Sequence, residues 1–395
     1  MLNYLYYLCV LALSLGQFSS ISKSGGINIY VFDVLVLVFF FVGFIYLALV
    51  KRTFYISRLF MPFVLFSVVA AISLIINSYK YSEREVLSAF FYFLRYVSYL
   101  GSGIVLENMK RIKMIGSKDI YKAFILSGVF LSLAGFIQLV VLPDFEVLES
   151  SLGWDPHKNR LASTFFDPNF LGVYLVMCLG ILFNKHFEGD KLSLVDIAAG
   201  VFILLAIILT FSRSTWLMLA VMVLLYGIVK SRVLFILSLF LLFSTYYFIP
   251  RVQTRISGIT DPADSAHYRL ISWRNTLEII EDNWLFGVGF NAYRYVQKEY
   301  GFLDFDTYLD HSGAGSDSSF LFVVATSGVF GLLAFLYGFF QPLYISARSP
   351  SGKNMLYILL TVGLFVEAQF INSMFFPQIM FVYYSLLSSD SFVRT

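Results

Sequence analysis

Charge is scarce in this 395-residue chain: Asp, Glu, Lys and Arg together make up 13% of it, against about 25% in a soluble domain. Cysteine is nearly absent. Cys9 and Cys178 both lie in apolar runs, which excludes a disulfide framework and says little about redox compartment. Only 4 histidines occur, and no His/Cys group has metal-ligand spacing. A phosphate-binding P-loop, a dinucleotide fingerprint and a G-x-S-x-G nucleophile elbow are all missing, as are internal repeats and heptads. The net charge of +3 is spread along the chain, so no basic surface for nucleic acid is indicated. What is abundant is apolar: 58% of the residues are hydrophobic, with 44 Phe and 26 Tyr, and the mean hydropathy is +0.77. A soluble core this apolar has too little polar surface to cover itself. The aromatic excess suits lipid-facing helices with interfacial belts.

A membrane span needs about 20 mostly apolar residues. The sequence predicts an all-α integral membrane protein with about twelve transmembrane helices, near 3–20, 28–50, 59–77, 86–106, 120–142, 166–184, 193–211, 213–229, 233–249, 317–346, 354–371 and 375–389. The last two are broken around Asn372 and Pro377, so eleven is the alternative count. The first lacks the basic n-region of a signal peptide and is read as a span. Placing both termini in the cytoplasm puts 15 basic residues inside, Lys51, Arg52, Lys110, Arg111 and Lys113 among them, against 6 in the short outer segments, which agrees with the positive-inside rule. The chain then divides into 1–249 with nine helices, a large extracytoplasmic loop over 250–316, and 317–395 with three more. Within the loop, Tyr268–Asp282 reads as an amphipathic helix with Leu270, Trp273, Leu277 and Ile280 on its apolar face. Gly287 and Gly289 break it, and Tyr293–Tyr300 forms a second short helix. A loop this long in a compact protein usually carries function.

Charges within or at the outer ends of spans are costly and are functional candidates. Arg213, in Thr210-Phe-Ser-Arg213-Ser-Thr215, sits at an outer turn against the charge trend. It reads either as an interfacial arginine that snorkels to headgroups or as an anion site with a helix N-terminus. Arg160 precedes Ser163-Thr164 and Asp167-Pro168-Asn169, the last three forming a helix start with an N-cap and Pro at N1; the cap leaves Arg160, Ser163 and Thr164 unexplained. Arg269 and Arg274 lie five apart on the loop helix, on roughly neighbouring faces, either as a solvated surface or in a functional role. Asp317 is either an ordinary first-turn acid or a general base at the membrane rim. His311, just upstream, is a second candidate base, with simple solvation as the alternative. Arg95, Glu367 and Gln369 are mid-span polar groups, read mainly as structural pairs with one another or with Asp33.

Four patches taken together resemble one family. They are Arg160-x-x-Ser-Thr-Phe-x-Asp-Pro-Asn169, Thr210-x-Ser-Arg213-Ser-Thr, Tyr268-Arg-Leu-x-x-Trp273 followed by Asn283-x-Leu-x-Gly-Val-Gly289, and Asp317-Ser-Ser-Phe-Leu followed by Ser327-Gly-Val-Phe-Gly331. Each is loose alone, but their order around one long outer loop is similar to that of the O-antigen polymerases and ligases of bacterial polysaccharide assembly, over roughly 155–345. The resemblance implies an architecture like the GT-C membrane glycosyltransferases. It implies a metal-independent, cofactor-free glycosyltransferase in the bacterial inner membrane. Its donor is an oligosaccharide carried on undecaprenyl pyrophosphate. In a polymerase the growing glycan moves onto the next lipid-linked repeat unit at the outer face, and a chain-length regulator is a common partner. In a ligase it moves onto lipid A core. Ligases of the family carry His at the start of the span after the large loop, where this chain has Asp317-Ser318, and the departure favours a polymerase. A lipid-linked glycan flippase is the alternative from a different class. The residues expected to act are Arg160, Arg213, Arg269, Arg274 and Asn169 on pyrophosphate and glycan, with Asp317 and His311 as candidate bases.

Overall fold

Apolar runs fold as helices throughout the computed structural model, which describes residues 1–24, 27–146, 157–189, 191–230, 232–248, 250–257, 265–303, 312–348 and 355–388. The first part supplies α1 (Leu2–Leu15), an antiparallel hairpin of β1 (Ser20–Ser24) and β2 (Ile27–Tyr30), then α2 (Val31–Ile45), α3 (Met61–Asn77), α4 (Glu83–Arg111) and α5 (Ser117–Val141). The second part supplies α6 (Pro168–Phe187), α7 (Leu194–Leu209), α8 (Arg213–Lys230), α9 (Arg232–Phe248) and α10 (Pro250–Ser257). The remainder is α11 (Ser265–Asn283), α12 (Tyr293–Glu299), α13 (Ser319–Arg348), α14 (Met355–Glu367) and α15 (Pro377–Ser388). Each of the twelve predicted segments contains a helix. Among the described residues, 7 helical stretches are long and apolar enough to cross a membrane: Val31–Val50, Met61–Lys80, α4, α5, α6, α8 and α13. Helices α7 and α14 are apolar but shorter.

The helices are apolar on both faces, as a lipid solvent requires. On α3, Phe63, Phe66 and Ala70 are buried while Leu65, Val68 and Ile75 point outward. Inside the bundle, aromatic rings interlock: Phe66 packs on Phe335 with centroids 5.2 Å apart, and Phe322 on Phe375 at 5.1 Å. Helix starts follow local chemistry. Glu85 accepts from the Ser82 backbone N–H at 2.8 Å ahead of α4, whose last turn ends in Lys110 and Arg111. That arrangement suits both ends of the helix dipole. Asp167 Oδ1 accepts from Asn169 N at 2.6 Å and Phe170 N at 3.2 Å, with Pro168 in the first turn of α6.

Two glycine motifs meet and fix the loop to the bundle. At Gly328 (φ 66°, ψ −170°) helix α13 is broken in its own interior. The carbonyls freed there are taken up by the 284–289 segment: Val288 N donates to Ala325 O at 2.9 Å and Gly289 N to Thr326 O at 3.1 Å. Val329 N donates in return to Trp284 O at 2.9 Å. A Cβ on Gly328 would stand 2.1 Å from Leu285 O, and one on Gly287 2.4 Å from Thr326 C, so neither position admits a side chain. From α3, the Ser73 hydroxyl is shared between Phe286 O and Thr326 O, and Asn77 Nδ2 donates to Gly287 O at 3.0 Å. Backbone that leaves the helical ladder is thus satisfied within the protein, as the apolar setting demands.

The loop helix is present as α11, and the second short helix as α12. The buried face of α11 differs from the one expected. Leu270 and Leu277 are exposed, Trp273 and Ile280 are half-buried, and Thr276 and Ile279 are the inward residues. The reason is that α11 docks through polar contacts. Trp273 Nε1 donates to Asp317 O at 3.0 Å, and Asp317 N to Ser272 Oγ at 3.0 Å. Thr276 Oγ1 lies 2.6 Å from Tyr293 OH and 2.9 Å from Ser316 Oγ. Between α14 and α15 the chain breaks in a short 3-10 turn, Ser373–Phe375.

Candidate active site

One large cavity, about 950 Å³, opens at the end of the bundle where α6, α8, α13 and α15 begin. Four helix N-termini converge on it, and each carries partial positive charge. Six cationic side chains line it, Arg95, Lys158, Arg160, Arg213, Arg269 and Arg294, against two carboxylates, Asp167 and Asp317.

The two arginine motifs are knitted together. Arg160 Nε donates to Thr210 O at 2.8 Å, and Nη2 to Asn169 Oδ1 at 3.0 Å. Leu161 N donates to Leu209 O at 2.9 Å, which pins this segment to the end of α7 just before Arg213 opens α8. Ser163 and Thr164 are structural: Ser163 Oγ donates to Leu131 O at 2.7 Å and Thr164 Oγ1 to Ser14 O at 2.8 Å, tying the strand of chain before α6 to α5 and α1. Two residues with left-handed backbone line the cavity, Phe211 (φ 48°) and Asn291 (φ 59°), and two more, Asn159 (φ 50°) and Phe166 (φ 59°), adjoin lining residues in the chain. Such conformations are unusual for residues with side chains, and for Phe above all, and strained positions cluster where function needs them.

Arg269 enters the cavity from α11. Burial lowers its guanidinium pKa from the ordinary value; the Asp317 carboxylate opposes that, the Arg213 charge adds to it, and the Glu367 and Asp167 carboxylates oppose it again. The shift therefore records that Arg269, Arg213 and three acids share one electrostatic neighbourhood. Burial also raises the Asp167 carboxyl above its usual range, against the pull of Arg160 and of the two amides it caps.

Of the residues singled out in the sequence, Arg160, Arg213, Arg269, Asn169 and Asp317 line this one cavity. Arg274 does not: it is exposed. Five residues at about 100° each put it some 140° round the helix from Arg269, rather than on a neighbouring face. His311 lies outside the described residues. Among the mid-span groups, Arg95 pairs with Asp33 at 2.7 Å, and Asp33 also accepts from Tyr99 OH at 2.8 Å. Glu367 is paired with neither; it accepts from Ser373 Oγ at 2.5 Å. Sequence reasoning passed over Arg294, which is 5% exposed yet lines the cavity from α12. Its position seven residues after Gly287 carried the signal, since the glycine lock fixes where α12 begins.

Residues 198–336, from α7 to the middle of α13, match the family described as O-antigen ligase. No curated protein matches the chain. The matched segment contains Arg213, Arg269, Arg294 and Asp317 and the whole glycine lock, whereas Arg160 and Asn169 reach the same cavity from outside it. With its 7 helical stretches long and apolar enough to cross a membrane among the described residues, the chain is a multi-pass membrane protein.

Proposed function

We propose that the protein is a polysaccharide polymerase of the O-antigen, capsule or exopolysaccharide kind. It would act at the outer face of the bacterial inner membrane, with both termini in the cytoplasm and twelve crossings. The growing glycan leaves undecaprenyl pyrophosphate and moves onto the next lipid-linked repeat unit. The observation that carries this reading is the cavity with six cations, two carboxylates and four helix N-termini.

In this reading the bond from the first sugar's anomeric carbon to the pyrophosphate oxygen breaks as the acceptor hydroxyl oxygen attacks that carbon. Negative charge grows on the departing pyrophosphate. Arg160, Arg213 and Arg269 bind and neutralise it; guanidinium forks match phosphate geometry, and donors already aimed at developing charge need no reorganisation at the moment of reaction. Asp317 takes the proton of the acceptor hydroxyl. Helix α11, which lines the cavity through Tyr268 and Arg269, is proposed to keep water from competing for the sugar. Arginines carry the charge stabilisation, so the reaction is proposed to run without a metal.

The family description favours a second reading, in which a ligase transfers the glycan of the same donor to lipid A core and releases the polyprenyl pyrophosphate. Asp317-Ser318, where ligases carry His, supports the polymerase. The test compares a deletion strain with its complemented parent, using a glycan gel and mass spectrometry of lipid-linked intermediates. The polymerase reading expects loss of long chains with single repeat units persisting. Long chains stranded on the polyprenyl carrier would establish the ligase instead. Single units held on the cytoplasmic side would mean a flippase. In the complemented strain, Arg213→Ala is expected to lower polymer synthesis about 10²–10³-fold, with the protein still in the membrane; normal polymer from Arg213→Ala would overturn its assignment.

A further inference from the structure

The cavity wall is chemically divided. Its cations come from the chain before α6, from α4, and from α8, α11 and α12, whereas the break between α14 and α15 presents neutral groups: Asn372, Phe375, Phe376 and Gln378. Gln378 is 5% exposed. Gln378 Oε1 and Asn372 Oδ1 are buried, and neither has a hydrogen-bond partner among the described residues. An unpaired amide oxygen is costly to keep; both oxygens are covered as placed, so a ligand in the cavity meets these amides through their N–H groups or after rotation of the side chain, and both residues border the cavity. Asn372 Nδ2 lies over Gly315, where a Cβ would come within 2.6 Å of it. Beside the amides, Phe376 stacks on Phe170 with centroids 4.1 Å apart and ring planes 9° apart, and both rings line the cavity and are only half-buried.

We propose that this break is the sugar-recognition subsite, and that it holds a neutral pyranose ring adjoining the pyrophosphate. The inference rests on the polyprenyl-pyrophosphate reading above and adds to it the part of the wall that reads the glycan. A side-chain amide offers one carbonyl acceptor and two N–H donors, which matches neighbouring hydroxyls on a ring. The Phe170–Phe376 pair supplies a flat apolar surface for the ring's C–H face. A pocket built from aromatic surface and a few convergent polar groups is how proteins fix the orientation of such a ligand. Neutral amides suit the uncharged sugar, while the arginines take the phosphates, so the two ends of the donor are sorted by charge.

The test uses the full-length protein in nanodiscs and two probes: sugar-free undecaprenyl pyrophosphate, and the lipid-linked repeat unit extracted from the deletion strain. Wild type is expected to bind the repeat unit at least about tenfold more tightly than the sugar-free lipid, the worth of two to three neutral hydrogen bonds. Gln378→Leu with Asn372→Leu is expected to shrink that ratio to about twofold or less, as the hydroxyls lose their partners. Should the double variant fail to fold, Asn372→Ala, at the half-buried position, carries the test alone. A variant that keeps the wild-type ratio overturns the subsite. Wild type binding both probes equally overturns the subsite while leaving the donor reading intact. Wild type binding neither probe overturns both.

Discussion

At the scale of single residues, the contrast between Arg269 and Arg274 is the sharpest. Both are arginines on one helix, but only Arg269 lines the cavity. Arg269→Ala is expected to cut polymer yield more than about tenfold, the loss of one charged hydrogen-bonding group, whereas Arg274→Ala is expected to leave it near wild type; quantitative glycan gels check both. Asp167 gives a pH dependence whose sign follows from its raised pKa. A carboxyl that holds its proton more firmly when folded favours folding below its unfolded value, about 3.9, and that gain is lost as pH rises through the folded value. At pH 7 the ionised group therefore costs stability. Asparagine caps a helix about as well as aspartate, so Asp167→Asn is expected to gain in melting temperature relative to wild type between pH 4 and pH 7. A difference that is flat across that range, measured on detergent-solubilised protein, would show that the burial of Asp167 is not felt.

Among elements, the sequence was most informative where a local rule acts alone. The capped start of α6 at Asp167-Pro168, the two loop helices and the glycine break between them all follow from neighbours within a turn or two. The face of α11 was not legible in this way. Its Leu270 and Leu277 look like core residues by periodicity, but the helix is held by Trp273, Ser272 and Thr276 to residues some 17 to 45 positions away. No local pattern encodes those partners. The same holds for Arg294 and for the lock at Gly328, since a glycine in an apolar run gives no sign of which carbonyl it must approach. Gly328→Ala is expected to destabilise the protein by at least about 1–2 kcal/mol from the left-handed backbone alone, with the contact at Leu285 O adding more; a fall of several degrees in melting temperature is the readout. Arg95 and Asp33, which join α4 to α2, make the second test of this kind. Arg95→Leu takes the cation from the Asp33 carboxylate, which keeps its bonds from Tyr30 N and Tyr99 OH, and is expected to cost about 3 kcal/mol. Adding Asp33→Asn, which retains a side-chain oxygen beside Tyr30 N, is expected to recover most of it in the same melting assay.

Taken as a whole, the molecule assembles its cavity from segments that are far apart in the chain. Gln17 and Gln378 border the same space, and the membrane helices serve chiefly to bring those ends together. That arrangement has a consequence for how the protein is made. Ser73 on α3 waits for Thr326, 253 residues further on, and Asn77 waits for Gly287, 210 residues on. At about 5–20 residues per second of translation, on the order of ten to fifty seconds pass before those partners exist. Throughout that interval Asn77 has only the Ser73 carbonyl of its own helix to bond, and Ser73 lacks both acceptors it holds in the folded protein, so water, lipid headgroups or an insertion factor serve the two side chains until the last third of the protein arrives.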